Sequence, residues 1–421
     1  MARYAPDPRL ASLATALGVG VIVGCLGIIL RLSLRSTLAL RVAWASQYPL
    51  LWIVLTTVAC GVAVRLTQTW APEAAGSGFP TLSAAVHDGK PMRWRRVLPV
   101  TLGGAWLAIS SGLLVGPEAP MVLVGAALGQ GLGRPAERVT LIAAGAGAGL
   151  AAVFSAPLAG ILFVFEELGF GFTPALLTST FTATITATVV VQLALGQQPA
   201  FPTGPWGATP LIQLPVIALL GGCIGILGVG CNAVLLGVLT QVQRWQVRPA
   251  GLRGIFLGAG IGLVAWGLPW AAGEGDRITT HLLTADLPLG ESLLLVPLRM
   301  VLMALSYGCG VPGGLYAPLL ALGAEAGRVG SQLLSLGALL PTPSPQTLTV
   351  IGMAALFTAV KRAPVIGIVM VMEITGSYTL LVELALGSLC AYLTAHALGN
   401  HPMHEKIQHQ DRHRHRVGTP A

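Results

Sequence analysis

The chain has 421 residues, 54% of them hydrophobic and only 10% charged, with a formal net charge of +8. Soluble domains carry roughly 25% charged residues, so this composition excludes an ordinary soluble globular protein and describes a membrane domain with short tails. Six cysteines (Cys25, Cys60, Cys223, Cys231, Cys309 and Cys390) are scattered through apolar segments with no CxxC pair, which fits neither a zinc site nor a disulfide framework. Apolar stretches recur from Ala14 almost to the end, so none reads as a cleaved leader. A spanning helix needs about 20 apolar residues. Residues 14–34, 47–66, 97–115, 171–196, 211–240, 254–272 and 378–399 meet or approach that length. The runs 121–133, 157–168, 313–326 and 363–374 are shorter and start at Gly or Pro. They read as helices that begin or end partway through the bilayer, where only protein or a water-filled cavity can satisfy the freed backbone groups.

Basic residues cluster at segment ends: Arg31, Arg35 and Arg41; Lys90, Arg93, Arg95 and Arg96; Arg244, Arg248 and Arg253; and Lys406, Arg412, Arg414 and Arg416 in the tail. Such clusters in short loops face the cytoplasm, which places both chain ends inside. They also account for the positive charge without a nucleic-acid partner.

The two halves repeat. At an offset of 207, residues 145–169 (GAGAGLAAVFSAPLAGILFVFEELG) and 352–376 (GMAALFTAVKRAPVIGIVMVMEITG) share 11 of 25 positions, among them Pro157/Pro364 and Glu166/Glu373. At an offset of 198, GPEAPMVLVGAALG (116–129) lies over GLYAPLLALGAEAG (314–327), which makes Glu118 and Tyr316 equivalent. Repeat one spans about 10–200 and repeat two about 208–400 of a single transport domain, with a basic, His-rich tail at 401–421. Paired, interrupted short helices in duplicated halves point to a transport site where the halves meet.

Three glycine-rich openings precede short helices: GSGFP (76–80), GPEAP (116–120) and GVPGGLYAP (310–318). Each frees backbone N–H groups at the positive end of a helix dipole, which favours an anion. No Walker loop is present and no strand precedes these glycines, so a small anion is preferred to a nucleotide and no cofactor is expected. Glu118 stands inside the second opening. An ionised side chain near the bilayer centre costs about 2.5–3.5 kcal/mol on insertion scales, so a buried acid finds donors or takes up a proton. Ionised, Glu118 can occupy the anion's place; protonated, it must leave, which is a gate that consumes a proton. A carboxylate capping its own helix is the alternative reading. Glu166 and Glu167 end an apolar run and point about 100° apart. Because Glu373 repeats Glu166, the first carboxylate reads as structural and Glu167 as the functional one.

These motifs, with SAPLAGILFVFEE and RAPVIGIVMVMEITG, resemble those of the CLC family of chloride channels and chloride/proton antiporters, in order from about Thr69 to Pro402. The resemblance implies an all-α polytopic membrane protein of two inverted-topology repeats with broken and re-entrant helices. It further implies a homodimer with one pore per subunit in the cell (inner) membrane, exchanging chloride for protons. Carried over by motif, Ser77 is similar to the serine whose hydroxyl coordinates the central anion, within Gly76, Ser77, Gly78 and Phe79. Leu315 and Tyr316, after Gly313 and Gly314, resemble the residues whose N–H groups complete the site. Glu118, after Gly116, resembles the external gating glutamate, and Glu167 the internal proton glutamate.

Two positions depart from the family pattern. The family's loop usually reads GREGP; here Pro117 and Ala119 stiffen it and remove a positive charge. Where the family commonly has an inner tyrosine, this chain has NHPMHEK, which makes His404 the candidate inner gate. His404 has two readings: a pH-dependent anion ligand, or one of five histidines in the last 21 residues of a flexible tail with no fixed metal-ligand spacing. A passive chloride channel or weakly coupled transporter with a proton-sensitive gate remains the alternative to an antiporter. An intramembrane enzyme finds little support, since His87 and His281 are the only histidines before residue 396 and no HExxH occurs. No appended regulatory domain is expected, because the chain stops about 20 residues after the last apolar run.

Overall fold

The protein is described here by a computed structural model covering residues 8–202, 204, 209–244, 251–337 and 341–400. Among these, sixteen α-helices and two isolated β-bridges form the architecture, with no strand. The first eight are α1 (Pro8–Gln47), α2 (Pro49–Trp70), α3 (Phe79–His87), α4 (Trp94–Ser110), α5 (Glu118–Leu132), α6 (Arg138–Phe154), α7 (Pro157–Leu162) and α8 (Pro174–Leu195). The second eight are α9 (Leu214–Arg244), α10 (Gly251–Gly267), α11 (Asp276–Thr284), α12 (Leu289–Gly308), α13 (Tyr316–Gly337), α14 (Pro345–Lys361), α15 (Pro364–Thr375) and α16 (Leu381–Ala397).

The duplication read from sequence is physical. Helices α4 and α12 each carry an internal proline, Pro99 and Pro297, at the repeat offset of 198. The chain turns between α6 and α7 and between α14 and α15 with Ser155 (φ 54°) and Arg362 (φ 63°), the non-glycine residues with positive φ among those described. Holding such residues left-handed costs roughly 1–2 kcal/mol each, so the same local strain at equivalent places marks a shared design. Helices α5 and α6 approach so closely that a Cβ on Gly125 would lie 1.9 Å from the Gly145 carbonyl. In the other half, α13 and α14 do the same: a Cβ on Gly323 would lie 2.5 Å from the Gly352 carbonyl.

The halves also cap one another. Glu166 accepts the N–H groups of Val365 (3.0 Å) and Ile366 (2.6 Å) at the start of α15. Glu373 accepts those of Leu158 (3.0 Å) and Ala159 (2.9 Å) at the start of α7. Each carboxylate thus satisfies the orphan donors of the short helix in the opposite half, the structural role expected of Glu166. These reciprocal contacts relate the two inverted halves by an approximate two-fold axis.

Some segment expectations need correction. Among the described residues, seven helical stretches are long and apolar enough to cross a membrane, and two of them, Pro135–Phe154 and Leu289–Gly308, went unrecognised in the sequence. The first is rich in Gly and Ala because it packs inside the protein instead of facing lipid. The second is interrupted by Arg299, which is buried and paired with Glu325 at 2.6 Å. The run 313–326 is not a short helix, since α13 continues to Gly337; α4 and α10, expected as spans at 97–115 and 254–272, have 17 residues each. Helix α1 has 40 residues and includes Arg31, Arg35 and Arg41, so these arginines do not sit in a loop.

Candidate functional site

The three glycine-rich openings converge. Gly116 and Gly314, equivalents at the repeat offset, form an antiparallel bridge: Gly116 N–H donates to the Gly314 carbonyl at 2.9 Å and Gly314 N–H to the Gly116 carbonyl at 2.8 Å. Residues that exchange hydrogen bonds with their own repeat partners flank the two-fold axis, so the axis passes through this site. Gly76 joins from the first loop, donating to the Val311 carbonyl (3.0 Å) and accepting from Gly313 N–H (2.9 Å).

Glu118 sits in this knot, 1% exposed, as the first residue of α5. Its Oε1 accepts the backbone N–H of Tyr316 at 2.7 Å, so it occupies the N-terminus of α13, in the other half. Its Oε2 has no hydrogen-bond partner among the described residues. Gly116 and Gly314 are glycines because of this carboxylate: a Cβ on either would lie 2.0 Å from one of its oxygens. Glu118 therefore does what an anion would do at a helix start, accepting a backbone N–H inside a glycine cradle.

A cavity opens beside it, lined by Ser77, Gly78, Phe79, Glu118, Leu315, Tyr316, Glu167 and Lys361 among others. The structure thus brings together sequence-selected residues from four elements, α3, α5, the turn after α7 and α13. Ser77 is aimed by its loop: Gly78 is left-handed (φ 61°), and its N–H turns back to the Ala75 carbonyl at 3.3 Å. Ser77 Oγ accepts Phe79 N–H at 3.3 Å and the Tyr307 hydroxyl at 3.1 Å, which leaves the serine's own O–H to donate to whatever enters the cavity.

On another wall, Glu167 ends a π-helical turn, Phe163–Glu167, that follows α7. The extra residue in this turn lets Glu166 cap α15 while Glu167 faces the cavity. The side chain of Glu167 is buried, not at an aqueous face, and accepts a hydrogen bond on Oε2 from the Tyr316 hydroxyl. Lys361 lies 2.6 Å from Glu167 Oε1, and its ammonium stands 4.8 Å from the centroid of the Tyr316 ring. The ring is steadied from its edge by Phe357, with centroids 4.8 Å apart. Tyr316 consequently joins both carboxylates, by its backbone N–H to Glu118 and its hydroxyl to Glu167.

Pro117 and Ala317, the chain neighbours of Glu118 and Tyr316, line a second cavity with Arg31, Arg35, Glu274 and Asp276. Arg31 is held there by a 2.8 Å hydrogen bond to Ser155 Oγ. The positive charge absent at Pro117 is thus present on α1 in the adjoining space. His404 lies outside the described residues.

Lys361 and Tyr307 were not singled out from sequence. Lys361 had a weaker signal, one of two adjacent charges, Lys361 and Arg362, inside an otherwise apolar run. Tyr307 had none, being one aromatic within α12.

Fold and site together define a polytopic membrane protein of two inverted halves that meet at a small cavity, largely apolar but carrying a few polar groups, built from helix starts. The family model described as voltage gated chloride channel matches residues 60–396. The chain belongs to that family. It is 33% identical over 418 residues to the H(+)/Cl(-) exchange transporter ClcA of Salmonella paratyphi A, covering 94% of this chain and 88% of that one. It is also 33% identical over 414 residues to the ClcA exchanger of Vibrio parahaemolyticus, covering 93% and 88%. A solved structure of a slow cyanobacterial Cl-/H+ antiporter superposes with a TM-score of 0.88 at 29% identity, over 97% of this chain and 99% of that one.

Proposed function

We propose that this protein exchanges chloride for protons across a membrane, with Glu118 as the gate that competes with the anion. The observation that carries the reading is the position of the Glu118 carboxylate: it takes the Tyr316 N–H in the glycine cradle where an anion would take it. Chloride is held by the Ser77 hydroxyl and by the backbone at Leu315 and Tyr316. When Glu118 is ionised it fills the outer part of this place. A proton neutralises it, the hydrogen bond from Tyr316 loses its charge assistance, and the anion can replace it. Glu167 delivers protons from the inner side, and the Tyr316 hydroxyl, bonded to Glu167, holds that carboxylate toward the cavity.

The chain acts as a transporter and not as an enzyme. Its proposed assembly is a homodimer with one pore per subunit, in the inner membrane with both termini cytoplasmic. The test uses purified protein in chloride-loaded liposomes, with a chloride gradient imposed and proton movement recorded. Uphill proton movement is expected in the wild type, and Glu118→Gln, which cannot cycle between charge states, should abolish it while chloride flux persists. Chloride flux without uphill protons in the wild type would make the protein a channel or an uncoupled transporter.

A further inference from the structure

Lys361 is a buried cation in a cavity built for an anion, and the fold does not require it. Its repeat equivalent is Phe154 at the end of α6, where the chain makes the same left-handed turn with no charge. A lysine at this turn therefore has a reason other than making the turn. Burying an ammonium is costly unless it is paired, and here the pairing is divided. The side chain is bound to Glu167 at 2.6 Å, packed over the Tyr316 ring at 4.8 Å, and still lines the same cavity as Ser77 and Glu118. The neighbouring guanidinium of Arg362 is turned away, donating to the Tyr392 carbonyl at 2.6 Å. Facing Lys361 are thus Glu167 from the turn after α7, Tyr316 from α13 and Glu118 from α5.

We infer that Lys361 is a direct ligand of the transported anion, shared between that anion and Glu167. While Glu167 is ionised, the ammonium is held by the carboxylate. When Glu167 takes a proton, that pairing is lost, and the three N–H donors of the ammonium turn to the anion beside Ser77. A proton at Glu167 and an anion in the cavity then favour one another, as linkage requires of two ligands acting through one group. This rests on the anion-exchange reading of the site but adds a ligand and a route of coupling to it.

The test is chloride binding to detergent-solubilised full-length protein by calorimetry, which does not depend on coupled transport. Glu167→Gln, neutral in place of the carboxylate, should bind chloride more tightly than the wild type. The double variant Lys361→Gln, Glu167→Gln leaves no buried charge unpaired, so it should fold, as elution on size exclusion will check. It should bind chloride about tenfold or more weakly than Glu167→Gln, the share of one charge-assisted hydrogen bond. Equal affinities of the single and double variants would overturn the inference, even if the wild type moves protons uphill. No chloride binding by any form, the wild type included, would overturn both this inference and the reading it rests on. If Glu167→Gln alone does not fold, the wild type and the double variant are compared as pH is lowered: both keep Glu118, but only the wild type has Glu167 and Lys361, so its chloride affinity should rise more steeply. An equal rise in the two would equally overturn the inference.

Discussion

At the scale of the residue, the site depends on Tyr316 doing two things. Its N–H holds Glu118, and its hydroxyl holds Glu167. Tyr316→Phe separates these roles, because the backbone donor and the ring over which Lys361 packs both survive. Chloride flux should therefore persist, while proton transport slows by about tenfold, the worth of one lost hydrogen bond to a charged group. Parallel chloride and proton flux assays in liposomes check this; equal slowing of both ions would show the hydroxyl serving the fold instead. Residue-level legibility follows from contrast. Glu118 stands out from sequence because a charge in apolar surroundings needs an explanation, Glu167 because the repeat matches Glu166 and not it, and Ser77 through the resemblance of its motif. Lys361 is less conspicuous, because it adjoins Arg362 and the pair reads as a charged turn between two apolar helices. The Tyr307–Ser77 hydrogen bond joins residues 230 apart in the chain, and no local pattern announces such a contact.

At the scale of the element, the glycine openings matter more than the helices they precede. Gly314 lies against Glu118 so closely that a Cβ there would sit 2.0 Å from Oε1. Gly314→Ala should therefore evict the carboxylate without touching its chemistry, giving chloride flux with little or no proton coupling. Proton uptake recorded with the chloride flux decides it, and uphill proton movement at the wild-type ratio to chloride would mean that Glu118 gates from some other position. The broken helices were legible because Gly and Pro mark where a helix can start, as at Pro157 and Pro364. The length of α13 was not, since its polar residues Glu325 and Arg328 break the apolar run although both are buried. The π turn at Phe163–Glu167 was not legible either: one extra residue per turn changes which way Glu166 and Glu167 face but leaves no mark on composition.

At the scale of the whole molecule, the repeat was the most legible feature, because two copies of one pattern test each other. The alignment paired Glu166 with Glu373, and the structure shows why both persist: each caps the short helix of the opposite half. Two halves tied in this way at α7 and α15 hold the cavity between them, since the turn after α7 carries Glu167 and the end of α14, just before α15, carries Lys361. Replacing either glutamate by glutamine puts an amide where two N–H donors converge, and each substitution should lower stability by about 1–3 kcal/mol, the range for an unsatisfied buried hydrogen-bonding group. The two effects should not add. Once one cap is lost, α7 and α15 are less firmly held together, and the second cap has less left to stabilise, so the double variant should cost less than the sum of the single ones. Monodisperse protein remaining after graded heating, compared across wild type, Glu166→Gln, Glu373→Gln and the double variant, measures this. Simple additivity would mean that each cap serves only its own helix end and that other contacts hold the halves together.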